Sequence, residues 1–580
     1  MGETAAEFNF PIAPSFTVQL ENPTPRIWLP SYHETQILLS KFIAHVSYVH
    51  HVVHHPSLPK VVDDVYRKAN RQEPITPGQM VLLLSIIASA THAWTPQDVN
   101  DPVLGSLFLS SAQANNKTYK WVKAADDVLC FMAQNGAEAA PSLEAIQGII
   151  ILSFVISNLE GIRLRYRSLI LKGLTMGREI CLHHIDHRSN METANTIKAE
   201  MGRRAWWYLV STDWFLSARY SNPGEGVYQI DTTDMIVAKP RNSNDAGVED
   251  NGPNHIFPLY QETDMSYFLQ RICLAEICCG IADIYPFIGC MSRKRNGASS
   301  HASILTMMDE ELRQFLKDLP SILKLDTYDN KTPATLGSNT IFIQAYMINS
   351  LANTQRCKLA LGFLKKHPNY PGPPYQRVRK ACLEAAQNMI RAEAQLERSQ
   401  HPFTQVRLRL SGMMYGVFLA GVALLMITQT APTETQQEND DDNIDENVEI
   451  RREQVSEALR IIESIKGHWP SPAAADLHQA LTQVLARQGH QNQQKEGPRT
   501  PRLGSPLAPV ASQQLPGQIG PSESRPTAIG DENQLPSTWE VSPRRELREA
   551  EEMMDMEDPM DVESFEWDEL ISDLDELGLF

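Results

Sequence analysis

The chain has 580 residues, 42% of them apolar, and a formal net charge of −18. It is long enough to bury a large core, and eight scattered cysteines exclude a disulfide-stapled fold. The acidity is local: residues 551–580 hold thirteen acids and residues 429–450 hold eight, with no base in either, so the body is near neutral and lacks the basic footprint of direct nucleic-acid binding.

Residues 1–25, rich in proline and polar side chains, read as a disordered N-terminus. "MGETAAEFNF" lacks the charged start and apolar run of a signal peptide, so a reducing, intracellular setting is expected. From about residue 34 to 428 the apolar spacing is mainly helical. "ILLSKFIAHVSYVHHVV" puts Leu38, Phe42, Val46, Val49 and Val53 on one face at steps of three or four, which predicts one helix through the histidines. His50/His54 and His51/His55 then have the i, i+4 spacing of a zinc pair. No Glu lies between them and Pro56 follows, so a structural or capping role is the expectation. "SLEAIQGIIILSFVI" turns apolar all round, as a fully buried helix does. "CLHHIDH" offers Cys181, His183, His184, Asp186 and His187 in a polar turn after a helix, again without an expected metal.

"RRAWWYLVSTDW" follows. On a helix, Trp206, Leu209, Val210 and Asp213 share a side, which leaves Asp213 partly buried and in need of a donor. Arg203 and Arg204 lie roughly 14 Å away along the axis, so that donor is expected on another element, with an ion pair favoured over catalysis. "YQIDTTDMIVAKP" reads as a short extended excursion. Cys278 and Cys279 sit in an apolar helical run and read as inert thiols. "SRKR", Ser292 to Arg295, is too short to distinguish a nuclear-import signal from a solvated loop. No nucleophile elbow and no glycine-rich phosphate loop occurs, so no catalytic, cofactor-binding or metal residue is assigned and an enzyme is not expected.

Leu410 to Ile427 contains eighteen residues without a charge, the lower limit for a membrane span. A buried core helix is the expectation. Residues 429–450 read as a solvated acidic loop, and Val455, Leu459 and Ile462 then resume a helical stripe. Residues 487–550, rich in Gln, Pro, Ser and Gly, read as a disordered linker. The last segment, 551–580, interleaves acids with Phe565, Trp567, Leu570, Ile571, Leu574 and Leu577. From Trp567 on, these apolar residues share a helical face that can fold when docked in a partner's groove.

Several stretches, in order, resemble one family. "RRAWWYLVSTDW" is similar to the Arg-Arg-x-Trp-Trp-x5-Asp signature of the fungal-specific transcription factor domain, the helical middle homology region of zinc binuclear cluster regulators. "RIWLPSYHETQILLSKFIAHVSYVHHVVHHP" resembles that domain's opening, which runs into a His-Pro element. "SLEAIQGIIILSFVISNLEGIRLRYRSLILKGLTMGREICLHHID" resembles the segment ending in a Leu-His turn. The stretch after the tryptophans, with Pro240, Arg241, Asn242 and Asp245, and the closing helices with Trp469 also match in order. The resemblance covers about residues 26–486, with 429–450 as an insertion. It departs at Ser221, Asn222 and Pro223, where many members have Gly-Arg-Pro. It also departs at the six-cysteine zinc cluster, since the first cysteine here is Cys130. Either the chain is truncated at its start or it regulates without its own reader of DNA.

The resemblance implies an all-α regulatory domain over 26–486, in which Arg203, Arg204, Trp206, Trp207 and Asp213 are structural signature residues. The implied function is fungal transcriptional regulation in the nucleus, with an activator favoured. Residues 551–580 form the partner-binding tail, directed at a coactivator or mediator-type protein. The alternatives are a DNA-free modulator that pairs with a full-length zinc cluster regulator or with itself, and a ligand-sensing domain. DNA contact is expected to be indirect and no membrane partner is expected. No cofactor is expected, with zinc only if a cluster precedes this chain.

Overall fold

The computed structural model describes residues 16–18, 27–134, 140–218, 227–252, 256–292, 297–332, 335, 340–367, 373–407 and 410–429, with 457 and 460. All of them belong to one unit, Met1–Leu485 with Asp568–Phe580. The linker 487–550, the tail residues Phe565 to Leu577, the acidic loop 430–450, the closing helices with Trp469, Ser221–Pro223 and most of "SRKR" lie outside the described residues.

The architecture is all-α, as expected. Two short strands, β1 (Phe16–Val18) and β2 (Ile27–Leu29), pair antiparallel. β1 falls inside the segment 1–25 that the sequence reads as disordered. Its partner β2 alternates, with Ile27 and Leu29 buried and Trp28 exposed, so one face of β2 lies on the core.

Helix α1 (Tyr32–His45) opens with a capping box: Ser31 Oγ accepts the Glu34 N–H at 3.3 Å, and Glu34 accepts the Ser31 N–H at 2.7 Å. It stops at His45, eight residues short of the predicted end at Val53. Val46 takes a non-helical backbone, Ser47–Val49 form a 3-10 turn and His51 is left-handed at φ 49°. The five predicted apolar residues are nevertheless all buried. The break has a physical cause: β-branched Val46, Val49, Val52 and Val53 disfavour helix, and a turn sends them inward while the histidines face another segment. The histidine pairs therefore never share a helical face.

Then come α2 (Leu58–Arg71), α3 (Pro77–His92), the short α4 (Pro96–Val99), α5 (Ser111–Gln134), α6 (Leu143–Glu160), α7 (Leu164–Glu179) and α8 (Ile197–Ser217). α3 and α6 form the centre of this half. Each starts with a hydroxyl cap, Thr76 and Ser142, and is apolar almost all round. α3 packs on both α5 and α6. α6 is long and apolar enough to cross a membrane by length and composition, yet its side chains are mostly buried in the protein. α3 and α6 approach closely at Gly148, where a Cβ would lie 2.7 Å from Val81 Cγ1 and 2.8 Å from the Leu82 backbone nitrogen.

The second half comprises α9 (Ser266–Ser292), α10 (Gly297–Asp318), α11 (Thr340–Lys366), α12 (Pro373–Ser399), α13 (Phe403–Arg407) and α14 (Ser411–Gln429). α9 joins the halves by packing on α8. α14 contains the uncharged stretch and packs on α11 and α12 with Met414 to Leu424 buried, which is the core reading. Within it, Glu393 receives Arg407 Nε at 2.8 Å and the Tyr346 hydroxyl.

Gly148→Ala is expected to destabilise the body by about 1–3 kcal/mol, because the methyl meets backbone that cannot yield. Gly280→Ala, exposed in α9 with open space around it, should stabilise by about 0.5–1 kcal/mol. Urea unfolding of the two variants checks both signs.

Candidate functional site

The Arg-Arg-x-Trp-Trp-x5-Asp residues lie on α8, and the structure shows what they hold. Residues 228–245 run back along α8 as an extended strap in the opposite direction, and each signature residue except Arg203 grips the strap directly. At one end Asp213 Oδ2 accepts the backbone N–H groups of Gln229 (2.6 Å) and Ile230 (3.1 Å), and Trp214 Nε1 donates to Ile230 O at 2.9 Å. In the middle Trp206 Nε1 donates to Met235 Sδ at 3.2 Å and Trp207 Nε1 to Ala238 O at 2.9 Å. At the other end Glu200 accepts the Arg241 N–H at 3.1 Å, and Arg204 Nη1 donates to Asp245 Oδ1 at 2.6 Å. The strap is the expected extended excursion, with a 3-10 turn at Thr232–Asp234 but no strand.

The two adjacent arginines point to different partners. Arg203 makes a two-point contact with Asp186 (3.0 and 2.6 Å) and also reaches Ala194 O and Glu200. Asp186 in turn accepts the strap's Ala238 N–H at 2.7 Å, so Arg203 holds the strap through this carboxylate. Arg204 is fully buried and bridges Glu200 on its own helix to Asp245 on the strap. Asp245 gathers the histidine turn as well. His51 Nε2 lies 3.1 Å from Oδ1, the His55 backbone N–H donates to Oδ2 at 3.0 Å, and His54 Nε2 is 3.0 Å from its carbonyl oxygen. His54 Nδ1 contacts Ser57 Oγ at 2.7 Å, a side-chain contact that caps no backbone N–H. His50 stands apart, packed edge-on against Phe154.

The electrostatics follow from burial and pairing. Burial alone raises the pKa of Asp245, but the His51 hydrogen bond and the Arg204 charge outweigh it and hold the carboxyl far below its usual range. Asp186 behaves alike: burial raises it, and the Arg203 and Ala238 bonds bring it below the usual value. Asp213 is the exception. Burial pushes it up to about 6, and its two backbone bonds only partly offset this. The expected ion pair at Asp213 is thus replaced by two peptide N–H donors on another segment, so sequence reasoning placed the partner correctly but not its chemistry.

This arrangement offers no chemistry of its own. The carboxylates at Asp186, Glu200, Asp213 and Asp245 all hold donors. His51, Asp245 and Asp264 stand close enough to share a metal ion, but the Arg204 guanidinium 2.6 Å from Asp245 occupies the place a cation would need. In "CLHHIDH", Asp186 belongs to Arg203, His187 caps a 3-10 turn through Ser189, and Cys181 is an exposed left-handed residue. Cys278 is buried, and burial pushes the Cys279 thiol up to about 11, so Cys279 is not a thiolate near neutral pH. A polar cleft of about 400 Å³ lies between α10, α11 and α12. Arg356 and Arg391 there already face Asp309, Asp326 and Asp329.

Sequence reasoning missed Glu200 and the true role of Asp186. Glu200 carried a signal, since it lies three and four residues before the arginines on one helix. Asp186 carried none, because a polar turn does not announce which arginine it meets.

Comparison with known proteins agrees with this geometry. The family model described as the fungal specific transcription factor domain matches residues 36–317. The chain is 31% identical over 471 residues to the probable transcription factor lepB of Aspergillus flavus, covering 80% of this chain and 78% of that protein. It is 25% identical to the agnestins biosynthesis cluster transcription factor AgnL11 of Paecilomyces divaricatus, over 70% of this chain. It is 26% identical to the transcription factor TAS2 of Pyricularia oryzae, over 64% of this chain. The matches span 56% and 47% of those last two proteins, about half their length. These relatives are transcription factors and not enzymes, and neither is this chain an enzyme.

Arg204→Met should cost about 3–5 kcal/mol, since it removes the guanidinium from the buried Asp245 and one of the arginines from Glu200. Limited proteolysis should then cut the strap 228–245 first. The pH dependence of Asp213 has a definite sign. Its folded pKa of about 6 exceeds its ordinary value of 3.8, so its contribution to stability is fully present below the ordinary value and is lost as pH rises through about 6. Asp213→Asn keeps an acceptor for both N–H groups without that titration. Its stability relative to the unsubstituted protein should therefore rise between about pH 4 and 6.5 and then level. Urea midpoints at pH 5 and 7 that differ equally between the two proteins would contradict this.

Proposed function

Because this chain belongs to the fungal specific transcription factor domain family and is a transcriptional regulator, we propose that it acts as an activator in the nucleus. Residues 551–580 recruit a coactivator or mediator-type protein. The observation that carries this reading is the tail's pattern of thirteen acids interleaved with Phe565, Trp567, Leu570, Ile571, Leu574 and Leu577. Alone, so short an acidic segment has too little apolar surface to fold against its own repulsion. On a partner's groove, the face from Trp567 to Leu577 is buried while the acids stay in water and steer encounter with a basic rim. A tail that only solubilises the protein has no use for Phe565 and Trp567. The α8–strap body supplies a rigid platform, with its charged groups paired internally, and the tail supplies the contact.

A second reading rests on the cysteines. No six-cysteine cluster lies within residues 1–580, the first cysteine being Cys130 in α5. Under this reading the protein reaches DNA through a zinc cluster regulator or a second copy of itself, and zinc belongs to that regulator or to a cluster preceding this chain. Affinity purification that identifies a zinc cluster protein at stoichiometric ratio supports it, and a monomer without such a partner opposes it.

Residues 1–580 and 1–550 fused to an unrelated DNA-binding domain test the activator reading in a fungal reporter strain. Only the longer fusion is expected to activate. Trp567→Ala with Leu570→Ala should abolish activation while leaving the urea midpoint of the body unchanged. Full activity of the double variant, or of the 1–550 fusion, overturns the docking mechanism.

A further inference from the structure

Beside the signature lies a cleft that the α8–strap clamp does not use. It measures about 430 Å³ and is bounded by α7, the C-terminal half of α8 and the start of the strap at Val227 and Gln229. The volume falls within the range of small-molecule sites. Ile170, Leu174 and Leu216 supply apolar walls. At the mouth, Leu171 is 50% exposed and Val227 70% exposed, so two large apolar side chains stand uncovered next to the cavity.

Two polar groups in the lining carry unspent hydrogen-bonding capacity. Arg167 Nε is buried and meets no acceptor among the described residues, a deficit that a ligand oxygen would relieve. Asp213 lines the same cleft, and only its Oδ2 is engaged, by the two strap N–H groups. Among the described residues no arginine or lysine lies within ion-pair distance of it. A half-open cleft of mixed polar and apolar lining, with one orphaned donor and one half-used carboxylate beside an apolar wall, has the composition of a site for an amphipathic ligand.

We propose that this cleft binds a small amphipathic organic molecule that presents an acceptor oxygen to Arg167, an N–H or O–H donor to Asp213 and an apolar face to Ile170, Leu174 and Leu216. Such a ligand engages the carboxylate that anchors Gln229 and Ile230, so its occupancy is coupled to the strap and, through Ala238 and Asp245, to the arginine network. The inference does not depend on the activator reading, because it is tested by binding and not by transcription.

Anilinonaphthalene sulfonate is a suitable probe, since it joins aromatic rings to a sulfonate acceptor and an N–H donor. Titration of the full chain, followed by probe fluorescence, should show one saturable component. Arg167→Ala and Val227→Asp should each weaken that component about tenfold or more. Among the described residues Arg167 has no side-chain hydrogen bond or ion pair to lose and Val227 is mostly exposed, so the urea midpoints should stay unchanged and separate lost binding from lost folding. Absence of a saturable component, or one that either variant leaves unchanged, overturns the proposal.

Discussion

The arrangement of this domain depends on a buried arginine. Arg204, without solvent exposure, joins Glu200 on its own helix to Asp245 on the strap, and Asp245 collects the turn at His51–His55. Burying such charges carries a desolvation cost that their attraction does little more than offset. The network is therefore a device for uniqueness more than for stability. A strap shifted by one residue would take Asp245 away from Arg204 and leave it charged and unpaired in a dry interior. Correct pairing fixes the register of residues 228–245 on α8 and places the α1–α2 connection against it.

The tryptophans complete that logic. Trp206, Trp207 and Trp214 fill the volume between helix and strap while each indole N–H meets a strap acceptor. Trp207 and Trp214 also meet edge to face at 6.1 Å. Large rings supply the apolar area, and single polar handles supply position. The result is a structural clamp built on directed contacts, although Arg204 Nη2, His51 Nδ1, His55 Nε2 and Ser243 Oγ are buried without a partner among the described residues. What the clamp does is hold the strap against α8, in a chain that belongs to a family of transcriptional regulators. The half-used carboxylate of Asp213 at the end of the clamp is the point where an outside molecule can act on it.

The core follows simpler rules. α3 and α6 are apolar on nearly all faces because they are surrounded, and they come close at Gly148 because a side chain there has no room. α14 shows that an uncharged stretch near membrane length is satisfied equally well by other helices. Hydropathy reports the need for an apolar environment and not which environment meets it.

The sequence by itself determined what is local or collective. Helical periodicity specified the all-α class, and the ordered motifs with Arg203, Arg204, Trp206, Trp207 and Asp213 identified the family. The tertiary structure alone decided the pairings. His51 and Asp245 are 194 residues apart, and Arg204 and Asp245 are 41 apart. Nothing in local spacing encodes such partners. The helix predicted to run through the histidines stops at His45 because packing turns the valines inward and brings the imidazoles to Asp245. The donors of Asp213 have the same origin: a buried carboxylate needs them, and the fold supplies the Gln229 and Ile230 N–H groups of a returning strap.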